Sequence, residues 1–128
     1  MKCTAPSVSL NASGRSALVA AVRDYALTES GEVPSVADLC RVFGVSRRSL
    51  QYAFEEVVGI NPVTYLRAQR LSAVRRAIKT AETNTPVMEI AARWGFWHPS
   101  YFTASYKKLF GELPSATRQR YTRFTPPR

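Results

Sequence analysis

Residues 87–111, VMEIAARWGFWHPSYFTASYKKLFG, decide how this chain folds. Pro86 opens a helix over Val87 to Trp94, and Gly95 ends it. His98 and Pro99 start a second helix after a short turn. In that second run Phe102, Tyr106, Leu109 and Phe110 recur three and four residues apart, the spacing of one helix face, and Phe96 closes the turn. The spacing predicts that most of the aromatic content is core. Ser100, Tyr101, Ala104, Lys107 and Lys108 are left facing outward, and Trp97 fits neither set.

The chain has already built the same thing once. Ser35 caps a short helix, Val36 to Phe43, that Gly44 ends, and a second helix follows Ser46. On it Leu50, Ala53, Phe54 and Val57 share one face, while Arg48, Gln51, Tyr52 and Glu55 share the other. Cys40 is the small residue where the two helices cross. Gly44 and Gly95 are 51 residues apart, whereas Phe54 and Tyr106, Gly59 and Gly111, and Pro62 and Pro114 are each 52 apart. The second turn is therefore one residue longer. Short helix, glycine turn, second helix is the helix-turn-helix pattern, in which glycine takes the left-handed turn and the helices cross closely. One copy is a weak signal; two in register are a strong one.

Between the copies, Asn61 and Pro62 start the longest helix, reaching about Lys79 and spanning about 27 Å at 1.5 Å per residue. Val63, Leu66, Leu71, Val74, Ala77 and Ile78 form its apolar arc, with Arg75, Arg76 and Lys79 outside. Arg67 and Arg70 fall inside the arc, so both are expected to pair with acids or cap backbone carbonyls. Before the first copy, Ser13 is the expected cap of a helix to about Ser30, with Leu18, Val22, Tyr25 and Ala26 on one face. After the second, Pro114 starts a short helix to about Tyr121. The expected layout is a flexible leader over 1–12, one domain over 13–121 and a flexible tail over 122–128. Within the domain, 13–60 hold the first module, 61–80 the linker helix and 86–121 the second module, with a loop over 80–85.

The 128 residues suffice for one all-α domain, and the formal net charge is +9. Residues 1–35 balance Lys2, Arg15 and Arg23 against Asp24, Glu29 and Glu32, so the whole excess lies in 36–128. That asymmetry is the footprint of a polyanion binder. The longest early apolar run, Ala17 to Val22, is far short of the roughly 20 residues that span a bilayer, and no secretion signal opens the chain. Cys3, Cys40 and the single His98 make neither a disulfide framework nor a zinc site, so no metal and no cofactor are expected. There is no glycine-rich phosphate loop and no acid pair with a plausible cleft, which argues against an enzyme. His98 reads as a first-turn or phosphate-neighbouring residue.

The order of elements, with IAARWGF followed by SYFTASYKKLFGELPSATR, resembles the DNA-binding domain of the AraC/XylS transcriptional regulators. The family pattern matches at Ile90, Ala91, Gly95, Phe96, Ser100, Phe102, Lys107, Gly111, Pro114 and Arg118. More loosely, WGFWH and LFGELPS are similar to the ethanolamine-utilisation activators. The resemblance implies a seven-helix fold with two helix-turn-helix subdomains joined by a long central helix, which could place two reading helices in successive major grooves, about 34 Å apart. It implies sequence-specific binding of double-stranded DNA at promoters, activation or repression of transcription with activation as the expected sign, and a cytoplasmic, nucleoid-associated bacterial protein. RNA polymerase is a further candidate partner, and no membrane is expected; these residues leave no room for the effector domain usual in the family, so the chain is expected to be either a stand-alone reader or the C-terminal piece of a longer protein.

Carried over by position, the base readers are Arg48, Gln51 and Tyr52 in the first module and Ser100, Tyr101 and Ala104 in the second. Arg suits guanine O6 and N7, and Gln suits adenine N6 and N7. Ala104 departs from the family, which often has Arg there, and offers at most contact with a thymine methyl. Arg47, Lys107 and Lys108 are the phosphate candidates. Glu55 either accepts from cytosine or repels phosphate. The competing readings are a nonspecific nucleoid-type binder and a helix-turn-helix used for protein contact.

Overall fold

The computed structural model describes residues 11–28, 31–80 and 85–122. Most of the expected leader, the tail beyond Thr122, the loop at 81–84 and Cys3 lie outside the described residues. Among the described residues there are seven helices and no strand: α1 Ala12–Ala26, α2 Val36–Phe43, α3 Arg47–Val57, α4 Pro62–Thr80, α5 Val87–Arg93, α6 Pro99–Phe110 and α7 Pro114–Thr122. This is the expected all-α, seven-helix order.

The chain divides into two compact units. The first takes residues up to Thr28 together with Val33–Gln69, and the second takes Glu29–Glu32 and everything from Arg70. The division falls inside α4.

In the first unit, α1 starts earlier than Ser13. Asn11 caps it, its side-chain oxygen accepting from the Gly14 N–H at 2.7 Å, so the end of the expected leader is already structured. Asn caps at least as well as Ser, and it comes first. Regular helix ends at Ala26, short of the expected Ser30, because the Leu27 N–H is already shared between the carbonyls of Arg23 and Asp24 at 3.1 and 3.3 Å. Ser35 and Asp38 form a reciprocal capping box on α2, which Gly44 ends at φ 67°. Val19, Val22 and Ala26 of α1, Leu39 and Cys40 of α2, Leu50, Ala53 and Phe54 of α3 and Leu66 of α4 make one core. Tyr25 is exposed, against expectation, though its ring meets Phe43 edge-on at 5.6 Å.

In the second unit, Leu71, Val74 and Ile78 of α4, Ile90 and Ala91 of α5 and Phe96, Phe102 and Tyr106 make the core. The rings run in series from Phe96 to Phe102 at 5.5 Å, to Tyr106 at 5.8 Å and to Phe110 at 4.7 Å. Arg70, 2% exposed, donates from Nη1 to the carbonyls of Gly31 at 2.7 Å and Trp94 at 3.0 Å, as expected of a buried guanidinium. Arg67 is half-buried. Arg75, expected outside the apolar arc, is mostly covered: Nη2 lies 3.6 Å from Glu112 and the guanidinium sits 5.0 Å from the Phe110 ring centroid. Glycine is obligatory at Gly95. Its φ is 91°, and a Cβ there would lie 2.4 Å from the Gly31 carbonyl oxygen and 2.8 Å from Arg70 Nη1.

Val57 and Leu109, both expected in the core, are 39% and 45% exposed. They occupy the same place in the two copies, 52 residues apart, and share one explanation. Each stands seven residues beyond the first core residue of its helix, at the helix end. The next residue, Val58 or Phe110, turns in to cover the core instead.

Candidate nucleic-acid interface

The first candidate face is on α3. Ser46 caps the helix, its Oγ accepting from the Ser49 N–H at 3.0 Å, and this fixes which way the first turn points. Leu50, Ala53 and Phe54 are fully buried, so the 100° step between residues drives Arg47, Arg48, Tyr52 and Glu55 to the exposed side. Gln51, at the edge of that side, is half-buried. The first turn contains no acid, so the positive end of the helix dipole and the two arginines reinforce each other.

Tyr52 is 54% exposed and has a partner that periodicity could not reveal. The guanidinium carbon of Arg15, on α1, sits 5.1 Å from its ring centroid, and Arg15 Nε lies 2.7 Å from Glu56 Oε1.

The second candidate face is on α6. Phe102 and Tyr106 are buried beneath it, and Ser100, Tyr101, Ala104, Lys107 and Lys108 are exposed. His98 is the N-cap residue but makes no side-chain cap hydrogen bond, and Pro99 occupies the first turn, again with no acid. Trp97, 50% exposed, donates from its indole N–H to the Ala92 carbonyl at 3.1 Å and so braces the turn. An open concavity of about 380 Å³ is lined by Pro99, Ser100, Thr103, Ala104, Lys107 and Leu113. Thr103 is absent from the sequence-based set, yet it stands 52 residues after Gln51 and is half-buried like it. The repeat spacing was the signal that would have found it.

The groups with shifted proton affinity serve caps and core. The hydrogen bond from Arg41 holds the Asp38 carboxyl below its usual range, aided by the Ser35 N–H. Burial pushes the Tyr106 phenol up, although its hydroxyl donates to Thr117 Oγ1 at 2.8 Å. Thr117 in turn donates to Glu112, whose carboxyl this bond holds down, with further help from the charges of Arg120 and Arg75. None of these groups lies on the exposed faces of α3 or α6. Among the described residues, no group of three or more His, Cys, Asp or Glu side chains is placed to hold a metal ion. No helix among them is long and apolar enough to cross a membrane.

The family described as "Helix-turn-helix domain" matches residues 39–120. The chain is 38% identical over 93 residues to the "Probable thc operon regulatory protein" of Rhodococcus erythropolis, covering 72% of this chain and 28% of that protein. It is 37% identical over 84 residues to "XylDLEGF operon transcriptional activator 2" of Pseudomonas putida, covering 65% of this chain and 54% of that one. The chain thus spans between about a quarter and a half of these relatives' lengths. Among solved structures, a transcriptional regulator of the AraC-type DNA-binding domain-containing proteins from Chromobacterium violaceum superposes with a TM-score of 0.75 at 23% identity, over 88% of this chain and 99% of that one. The C-terminal domain of AraT, a response regulator from Geobacillus stearothermophilus, gives 0.71 at 23% identity, over 80% and 84%. These two likenesses speak for the fold, and the family match speaks for descent: the chain belongs to the AraC/XylS family, whose helix-turn-helix domain it carries.

Proposed function

We propose that the chain binds double-stranded DNA sequence-specifically at promoters, with α3 and α6 each entering a major groove, and that it activates transcription. One observation carries the reading. Each module's second helix is anchored by a fully buried apolar face and turns an acid-poor first turn and a mixed polar face outward. The +9 charge supplies the sequence-independent attraction.

On α3, Arg48 reads guanine through O6 and N7, Tyr52 reads beside it, and Gln51 reads adenine from the flank of that face. On α6, Ser100 and Tyr101 read base edges, and Ala104 meets a thymine methyl. Arg47, Lys107 and Lys108 neutralise phosphates and set register. The two helices take successive major grooves, so the half-sites lie about one helical turn apart.

The Pseudomonas putida relative's name, an operon transcriptional activator, supports activation as the sign of regulation. RNA polymerase is the protein partner proposed at the promoter. The chain acts by binding rather than by catalysis, in the bacterial cytoplasm and on the nucleoid. Selection of bound sites from a random duplex pool, followed by affinity measurements on selected and random duplex at matched salt, tests this. Two half-motifs about 10 base pairs apart are expected. Equal affinity for random DNA would sink the reading in favour of a nonspecific nucleoid binder.

A further inference from the structure

We infer that Arg15, on α1 and outside both helix-turn-helix pairs, is a positioning residue for sequence readout: it fixes the ring of Tyr52 in its reading orientation. The inference rests on the proposed role of α3 in reading bases.

Tyr52 and Glu56 stand one helical turn apart on α3, and the side chain of Arg15 spans both. Its Nε lies 2.7 Å from the Glu56 carboxylate, and its guanidinium carbon lies 5.1 Å from the Tyr52 ring centroid. One cation thus meets the carboxylate's charge and the ring together, and the flat, weakly hydrated guanidinium suits the ring better than a compact, strongly hydrated ammonium does. The Arg15 side chain is itself held, with 19% of its surface exposed, whereas Tyr52 is 54% exposed and would otherwise sample several rotamers. A ring ordered before DNA arrives loses less entropy on binding, and it can reach one base pair consistently. Pairing also neutralises Glu56, which would otherwise repel phosphate from the same helix. That second effect is uniform over all sequences, so a ratio of affinities between two duplexes removes it.

The experiment uses the chain with its selected duplex and a panel of single-base-pair substitutions in the α3 half-site. Tyr52→Ala identifies the base pair whose preference depends on Tyr52. Arg15→Met, which keeps the stem and removes the cation, is expected to flatten preference at that same base pair by about 2- to 5-fold, the range of an exposed cation–π contact. The double variant Arg15→Met, Tyr52→Ala is expected to lose no further discrimination than Tyr52→Ala alone. Arg15→Lys keeps a cation beside Glu56 but offers the ring only a compact, strongly hydrated charge, so it is expected to retain affinity and lose part of the preference. It also decides the matter if Arg15→Met fails to fold, as judged by helical circular dichroism.

Unchanged discrimination in Arg15→Lys or Arg15→Met, while Tyr52→Ala does flatten it, overturns the inference and leaves the α3 reading intact. An equal loss on every duplex, with the salt slope reduced by about one, makes Arg15 a phosphate contact and also overturns it. If Tyr52→Ala changes no base preference, the proposed role of Tyr52 fails, and this inference fails with it.

Discussion

Replacing Gly95 with alanine should damage the second unit far more than replacing Gly111, although both glycines end a helical segment with positive φ. Gly111 has φ 78° and open space where a Cβ would go. Gly111→Ala therefore costs only the left-handed penalty of an L-residue, about 1–2 kcal/mol. Gly95 has φ 91°, and its Cβ would stand 2.4 Å from the Gly31 carbonyl oxygen, which is backbone and cannot swing aside. Arg70 Nη1, 2.8 Å from the same point, can move only by surrendering its bonds to Gly31 and Trp94. Leaving the buried Arg70 guanidinium without these acceptors adds about 1–3 kcal/mol, for a total of about 2–5 kcal/mol. The chain has two tryptophans, Trp94 and Trp97, and both flank Gly95, so tryptophan fluorescence during urea unfolding reports this unit directly. With a slope of about 1–3 kcal/mol per molar urea, the two midpoints should separate clearly. Losses equal to within about 0.5 kcal/mol, the usual scatter between independent sites, would refute the packing argument.

Arg48→Ala and Gln51→Ala should each weaken binding to a selected duplex by about 1–3 kcal/mol and leave random-duplex affinity nearly unchanged; equal losses on both would contradict base reading. Lys107→Ala should instead reduce the salt slope of binding by about one, and an unchanged slope would remove it from the phosphate contacts. Glu112, whose folded carboxyl titrates below its ordinary value of 4.5, binds fewer protons folded than unfolded just below that pH. Its contribution is therefore full above about pH 4.5 and lost as pH falls through the lowered value, so Glu112→Gln should flatten the acid limb of a melting-temperature profile. An unaltered limb would mean that the Thr117, Arg120 and Arg75 contacts contribute nothing to stability.

Much of this was legible because the sequence punctuates itself. Ser35, Gly44 and Ser46 bound α2 and the start of α3 without rivals, and the structure agrees with both. At the start of α1, Asn11 and Ser13 compete as caps only two residues apart, and spacing alone does not choose between them. The outward set on α3 followed from the burial of Leu50, Ala53 and Phe54, so Arg48 and Tyr52 fell where a helical wheel puts them. Helix ends were harder. Periodicity extends a face past the surface that covers it, which is why Val57 and Leu109 looked buried. Arg75 and Arg15 show a different limit. Their partners, Glu112 and Phe110 for one and Tyr52 and Glu56 for the other, lie far along the chain, and no local pattern records such a meeting.

The repeat offset, 51 residues at the turn glycines and 52 from the second helices onward, makes the chain its own control. Ser46 and His98 both stand at N-caps, Leu50 and Phe102 both anchor a core, and Val57 and Leu109 are both left in solvent. Any substitution made in one module has an internal twin in the other, measured in the same tube, under the same salt and on the same duplex. Where the twins respond alike, the effect belongs to the motif; where they part, as at Gly44 with open space around it and Gly95 with none, it belongs to the surroundings that each copy has acquired.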